Sequence, residues 1–234
     1  MINITDSTEF SRLLTALSED VVDAHIHFQF FEDLIGAHEK HPLVFPESNT
    51  FWTYTLQAHL NSSVYALLRV YDQNKRALHL RSWLITIKEN LEIFDVEAFR
   101  DRLKDNPYVA SLSSEAKKPD AVELAKDIAE CTAVDPTVNK LIIHRSNLIA
   151  HRNVKIVLST QDSNNDNGVT FDDLKVLLER AKTILNRYSY IFNASVYSTN
   201  VISRDDFNCI FIDVEARVER VRQQWARIIE ETPN

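Results

Sequence analysis

Apolar residues recur in alternating steps of four and three along three long stretches of this chain. Phe10, Leu14, Leu17, Val21, Ala24, Phe28, Phe31 and Ile35 form the first. Leu174, Leu178, Ala181, Leu185, Tyr188 and Phe192 form the second, and Phe207, Phe211, Val214, Val218, Val221, Trp225 and Ile228 the third. Steps averaging about 3.5 residues keep a single stripe on one face of a helix. A fourth stretch has a broader apolar face, with Trp52, Leu56, Leu60, Val64, Leu67 and Tyr71. No pair of alternating runs flanks a hairpin signal. Glycine points the same way: only Gly36 and Gly168 occur in 234 residues, against an ordinary usage of about 7%. So few glycines leave little for tight turns and exclude any Gly-rich phosphate loop. The expected fold is all-α: an antiparallel helical bundle with short accessory helices, in one domain over 1–234.

The ends of the helices can be placed from capping residues and prolines. Asp6 with Glu9 reads as a capping box opening the first helix, which runs to about His38. Pro42 and Pro46 break the chain, and a second helix is expected from about Thr50 to Asp72. A shorter helix passes through Trp83, Ile87 and Leu91, and Asp95 caps another that ends near Asn106 and Pro107. Residues 107–119 are small and polar, and read as a loop or frayed helix. Pro119 suits a helix start, with a helix from Asp120 to about Ala133, and Asp135 and Pro136 start the next one, with Pro136 again in the first turn. Two further boxes, Thr170 with Asp173 and Ser203 with Asp206, open the last two helices.

The net charge is −8, which excludes binding nucleic acid by bulk charge. Any such binding must use a local patch. Pro136 to Gln161 carries no acid, yet holds Lys140, Arg145, Arg152 and Lys155. Cys131 and Cys209 are too few for a disulfide framework or a zinc site and read as small core residues. No leader pattern opens the chain and no apolar run spans a membrane, so a cytoplasmic protein without a membrane partner is expected. His25 and His27 lie on different helix faces, and His38 and His41 lack a third ligand. Asp162, Asn164, Asp166 and Asp173 sit near calcium-loop positions, but the sharp-turn position is Asn167, with Gly168 one residue late. We therefore expect no metal and no cofactor.

The acid-free window centres on Lys140–Lys155, KLIIHRSNLIAHRNVK. As a helix it is apolar over most of its circumference, and such helices are usually buried. One polar stripe interrupts it: Lys140, His144, Asn147 and His151, in steps of 4, 3 and 4. Arg145 and Arg152 flank the stripe. Buried polar groups need partners. Either neighbouring acids satisfy these side chains and the helix end is capped by His151, or they line a site.

Arg145, five residues and then His151 match an Arg, four-to-six residues, His pattern on a late helix of an all-helical chain. With residues 51–84, LIIHRSNLIAHRN at 141–153 and TFDDLKVLLERAKTILNRY at 170–188, the sequence resembles the HEPN superfamily, and within it the AbiU-type abortive-infection branch. The resemblance covers most of the chain and implies a single HEPN-like helical domain. It implies a metal-independent endoribonuclease of phage defence or toxin type, working as a homodimer through the motif helix, with a possible antitoxin or operon partner. His151 would then exchange protons with the ribose 2′-hydroxyl or the leaving oxygen, a task suited to imidazole near neutral pH. Arg145 would hold the scissile phosphate of the RNA. His144, Ser146 and Asn147 would support them, and Lys140, Arg152 and Lys155 would bind RNA. Active members commonly place Asn, Asp or His directly after the arginine, where this chain has Ser146. On a regular helix Arg145 and His151 stand roughly 120° apart, which calls for a second protomer. The alternative is a non-catalytic helical module that binds a partner protein or nucleotide.

Overall fold

A computed structural model of the chain describes residues 2–114, 118–146 and 168–231. The order is α1 (Ser7–Lys40), α2 (Val44–Glu47), α3 (Asn49–Val70), α4 (Leu80–Glu89), a 3-10 turn (Leu91–Phe94), α5 (Val96–Arg102), α6 (Val109–Ser114), α7 (Ala121–Glu130), α8 (Pro136–His144), α9 (Phe171–Asn193) and α10 (Asn208–Glu231). No strand occurs among the described residues. The fold is all-α. The chain divides into two compact units. The first holds the described residues of Met1–Ala24 and Val64–Thr199, and the second those of His25–Ser63 and Asn200–Asn234.

In the first unit, the opening part of α1 turns its heptad stripe inward. Phe10, Leu14, Leu17 and Val21 are at most 1% exposed. Phe10 stacks on Trp83 at 5.6 Å and meets the edges of Phe94 at 5.7 Å and Phe192 at 4.7 Å. Burying each such side chain contributes about 1.5–3 kcal/mol, and each aromatic pair adds about 0.5–1.5 kcal/mol. The last turn of α9 is closed by Arg102, whose guanidinium donates to the Phe192 carbonyl at 2.7 Å and lies 4.0 Å over the Phe192 ring. A cation placed there answers the exposed carbonyls of a helix C-terminus. Burial lowers the Arg102 pKa to about 10. Asp127, only 2% exposed, accepts hydrogen bonds from Arg187 and from the Tyr188 hydroxyl, joining α7 to α9.

The second unit is built on Leu34, Ala37, Val44, Phe45 and Phe211, with Trp52, Leu56, Phe207 and Val214 packed against them. The His41 ring bonds Glu215 at 2.9 Å, and Arg204 pairs with Asp33 at 3.2 Å.

Several expectations change. Asp6 does cap α1, accepting from Thr8 and Glu9, but the Glu9 carboxylate takes the N–H of Thr5 rather than that of Asp6. The Pro42–Pro46 break contains a short helix, and part of the 107–119 segment is helical, as α6. Asp95 makes no side-chain cap on α5 and pairs with Lys118 instead. The Ser203–Asp206 box does not form: Ser203 sits at φ 57, in the left-handed region, and α10 begins later, at Asn208. A side chain there cannot cap the first turn, because a cap residue needs extended backbone. The stripe of α10 is buried only at its start: Phe211 is 0% exposed, while Trp225 is 61% exposed. His38 packs edge-on against Phe45 at 4.4 Å. Of the two cysteines, Cys131 is buried and Cys209 is exposed. VKIVL at 154–158 and most of the calcium-like loop lie outside the described residues.

Candidate functional site

The helix that carries the basic window is set by its own first turn. Asp135 accepts from the N–H groups of Thr137 at 3.0 Å and Val138 at 2.9 Å, and Pro136 fills a first-turn position where no hydrogen-bond donor is needed. Arg180 of α9 pairs with the same Asp135 at 3.1 Å and donates to the Glu130 carbonyl at 2.8 Å. The α7–α8 turn is thereby tied to α9. The described part of the helix is not buried all round. Val138 and Leu141 are 0% exposed, but Ile143 is 39% exposed. One face packs and the other meets solvent in the single chain.

Lys140 does not stand free for a ligand. Its ammonium pairs with both oxygens of Asp173, at 3.0 and 3.1 Å. Asp173 also completes the cap of α9, accepting from the Thr170 N–H at 3.0 Å. Burial opposes the Asp173 charge, but the Thr170 and Lys140 donors outweigh it and hold the carboxyl below its ordinary range. His144 is half-buried, and burial lowers its pKa below that of a free imidazole.

Arg145 lies at the end of α8. Its guanidinium donates to Asp72 Oδ1 at 3.0 Å, with 46% of the arginine side chain exposed. Asp72 begins the turn after α3 and also accepts from the N–H groups of Gln73 at 2.7 Å and Asn74 at 3.2 Å. Burial works against its charge, but those two donors and Arg145 prevail, so its carboxyl titrates below the usual value. The turn is pinned from behind, as the Gln73 amide donates to the Tyr71 carbonyl at 2.8 Å and the Cys131 carbonyl at 3.1 Å. Arg145 and Ser146 adopt π-helical backbone, a local widening frequent at functional positions. The Ser146 hydroxyl donates to the Ile142 carbonyl at 3.0 Å.

The structure therefore groups His144, Arg145 and Ser146 at one helix end, against Asp72. Asn147, His151, Arg152 and Lys155 lie outside the described residues. Asp72 was legible only as part of a polar turn. Its role follows from a contact across 73 positions of sequence, which no local spacing reveals.

In a comparison with known protein families, the HEPN AbiU2 family model, described as AbiU2, aligns with residues 7–210. The chain belongs to this family. No curated protein and no solved structure matches it. Membership of the AbiU2 family suggests an abortive-infection-related role. The matched residues include the whole of α8 and the Arg145–Asp72 pair. No described helix is long and apolar enough to cross a membrane.

Proposed function

We propose that this AbiU2-family protein is a metal-independent endoribonuclease acting in abortive infection, with RNA as substrate. The observation that carries the reading is the placement of Arg145. It stands half-exposed at the end of α8, six positions before His151 in sequence, within a HEPN-family chain. Its fork suits a phosphate's oxygens, and its present partner is a carboxylate whose geometry a phosphate can mimic. His151 takes the proton of the ribose 2′-hydroxyl as that oxygen attacks the adjacent phosphorus, or returns one to the leaving 5′-oxygen. The products are a 2′,3′-cyclic phosphate and a 5′-hydroxyl. Two protomers pair through the motif helix, so that an arginine and a histidine from different copies reach one phosphate. The half-exposed Ile143 supports that pairing. His144 and Asn147 assist, with Arg152 and Lys155 along the strand, in a cytoplasmic protein of one domain.

A second reading has its own support. The Ser146 hydroxyl is spent on the Ile142 carbonyl, and the charge of Arg145 is already answered by Asp72. Both favour a HEPN-like module that binds a partner protein, such as an antitoxin, or a nucleotide, without cutting. Incubating the purified protein with RNA in EDTA separates the two. Cleavage leaving cyclic phosphate ends, lost in Arg145→Ala and His151→Ala proteins, is the expected outcome. Intact RNA, or cleavage indifferent to both substitutions, favours the binding module.

A further inference from the structure

The stripe of α10 starts inside the core of the second unit and then leaves it. Phe211 is 0% exposed, but every residue from 221 to 231 is exposed. These include large apolar side chains: Val221, Trp225, Ile228 and Ile229, with Trp225 at 61% and Ile229 at 71% exposure. Three helical turns without tertiary packing are marginal in water, because helices in proteins are held mainly by burial of an apolar face. The stripe itself says what kind of surface would bury this one. Steps of 4, 3, 4 and 3 carry it from Val214 to Ile228, the period that keeps a seam against one partner helix. The family model ends at residue 210, so this face lies outside the residues matched to it. Its occupant is then one that comes with this chain, a condition that a second copy always meets.

The charges beside the stripe choose the direction of such a pair. In a parallel pair each Arg217 faces the copy's Arg222, which makes two like-charge contacts. In an antiparallel pair, Val221 lies beside the copy's Trp225 and Val218 beside its Ile228. Each Arg217 then faces the copy's Glu231, which makes two opposite-charge contacts. Gln224 meets its own counterpart on that flank, and Arg222 meets Arg222 once, near the two-fold axis, on the other. The antiparallel arrangement is therefore the complementary one, and it is isologous, as a closed dimer requires. We propose that the 218–231 face of α10 pairs antiparallel with the same face of a second copy of this chain. The contact uses no residue of the motif helix and does not rest on the ribonuclease reading. The two faces together bury on the order of 1,000 Å², the low end for a specific interface, so the association is of micromolar strength.

The test follows the mass of the whole chain by sedimentation equilibrium across the micromolar range. A concentration-dependent doubling is expected. Trp225→Ala is expected to weaken it by about thirtyfold, as loss of a central aromatic anchor does. Arg217→Glu and Glu231→Arg are each expected to weaken it by about fivefold, and the Arg217→Glu/Glu231→Arg protein to regain it, since the exchanged charges meet again across the pair. These side chains lie on the exposed end of α10, and an unchanged urea-unfolding midpoint at low concentration checks that each variant keeps its core. Pairing through the motif helix adds a doubling of its own that none of these substitutions touches. A mass that never doubles, or a doubling that Trp225→Ala leaves intact, overturns the proposal. Loss in Trp225→Ala without rescue by the charge exchange overturns the antiparallel self-pairing and assigns the face to another partner.

Discussion

Two arginines in the first unit meet aspartates in different settings, and their consequences differ. Asp127 is only 2% exposed and accepts from both Arg187 and Tyr188. Removing its charge leaves Arg187 without its closest partner and the Tyr188 hydroxyl without its acceptor. Asp127→Ala is expected to cost about 3 kcal/mol or more, read from urea unfolding. Arg145, by contrast, is 46% exposed against Asp72. An exposed pair contributes roughly 0–1 kcal/mol, so Arg145→Ala is expected to lower stability by less than about 1 kcal/mol in the same measurement. A loss as large as that of Asp127→Ala would make Arg145 a structural residue and remove it from the site. The small cost is also what a binding role requires, since the pair is easily exchanged for a phosphate. From sequence alone, Arg145 was visible through its spacing to His151. Asp72 was hidden, because a turn aspartate looks the same whether or not an arginine later reaches it.

At the scale of elements, the caps decide where helices start. Asp135 with Pro136 and Thr170 with Asp173 were readable because cap, first turn and hydrogen bond all lie within four residues. Ser203 with Asp206 matched the same pattern and failed, since the turn preceding α10 forces Ser203 to φ 57. His79 went unrecognised, as imidazole is not a usual cap, yet its ring accepts the Ser82 N–H and heads α4. That position ties helix integrity to pH. Burial, partly offset by the hydrogen bond to the Asn74 carbonyl and by Asp72, lowers the pKa of His79. Burial also lowers His144, and burial together with His27 lowers His59, whose Nδ1 lies 3.0 Å from that of His27. For all three the folded chain binds its proton less readily than the unfolded one. Their stabilising contribution is therefore complete above the unfolded value of about 6.5 and is lost as pH falls from there through the folded pKa values. Asp72 and Asp173, also lowered, act with the same sign at lower pH, below their ordinary 3.8. Asp33, raised mainly by burial, acts with the opposite sign: its contribution is present below 3.8 and lost as pH rises through its folded pKa. The expected net result is a thermal midpoint that falls between pH 7 and pH 5, checked by calorimetry. A flat or rising midpoint across that window would show that these histidines are not held neutral by the fold.

Across the whole molecule, the period-3.5 stripes account for the helices and for most of the core. The stripe of α1 supplies Phe10, which contacts aromatic rings from α4, the 3-10 turn and α9. Phe10→Ala is expected to cost about 3–5 kcal/mol, measured by chemical unfolding; a cost below about 1 kcal/mol would mean that this junction is not a core. The stripe of α10 shows the limit of such patterns. Period fixes which residues share a face, but not whether anything lies against that face. Beyond Phe211 and Val214 the stripe passes to exposed positions such as Val221 and Trp225. The sequence by itself determined the all-α class, the family and the position of α8, because helix period, caps and glycine scarcity are local properties of the chain. The tertiary structure alone decided that Asp72 holds Arg145, that Asp173 occupies Lys140 and that the Gln73 amide reaches the Cys131 carbonyl. Each depends on side chains brought together from distant positions, and charge pairing acts through space without regard to the order of residues along the chain.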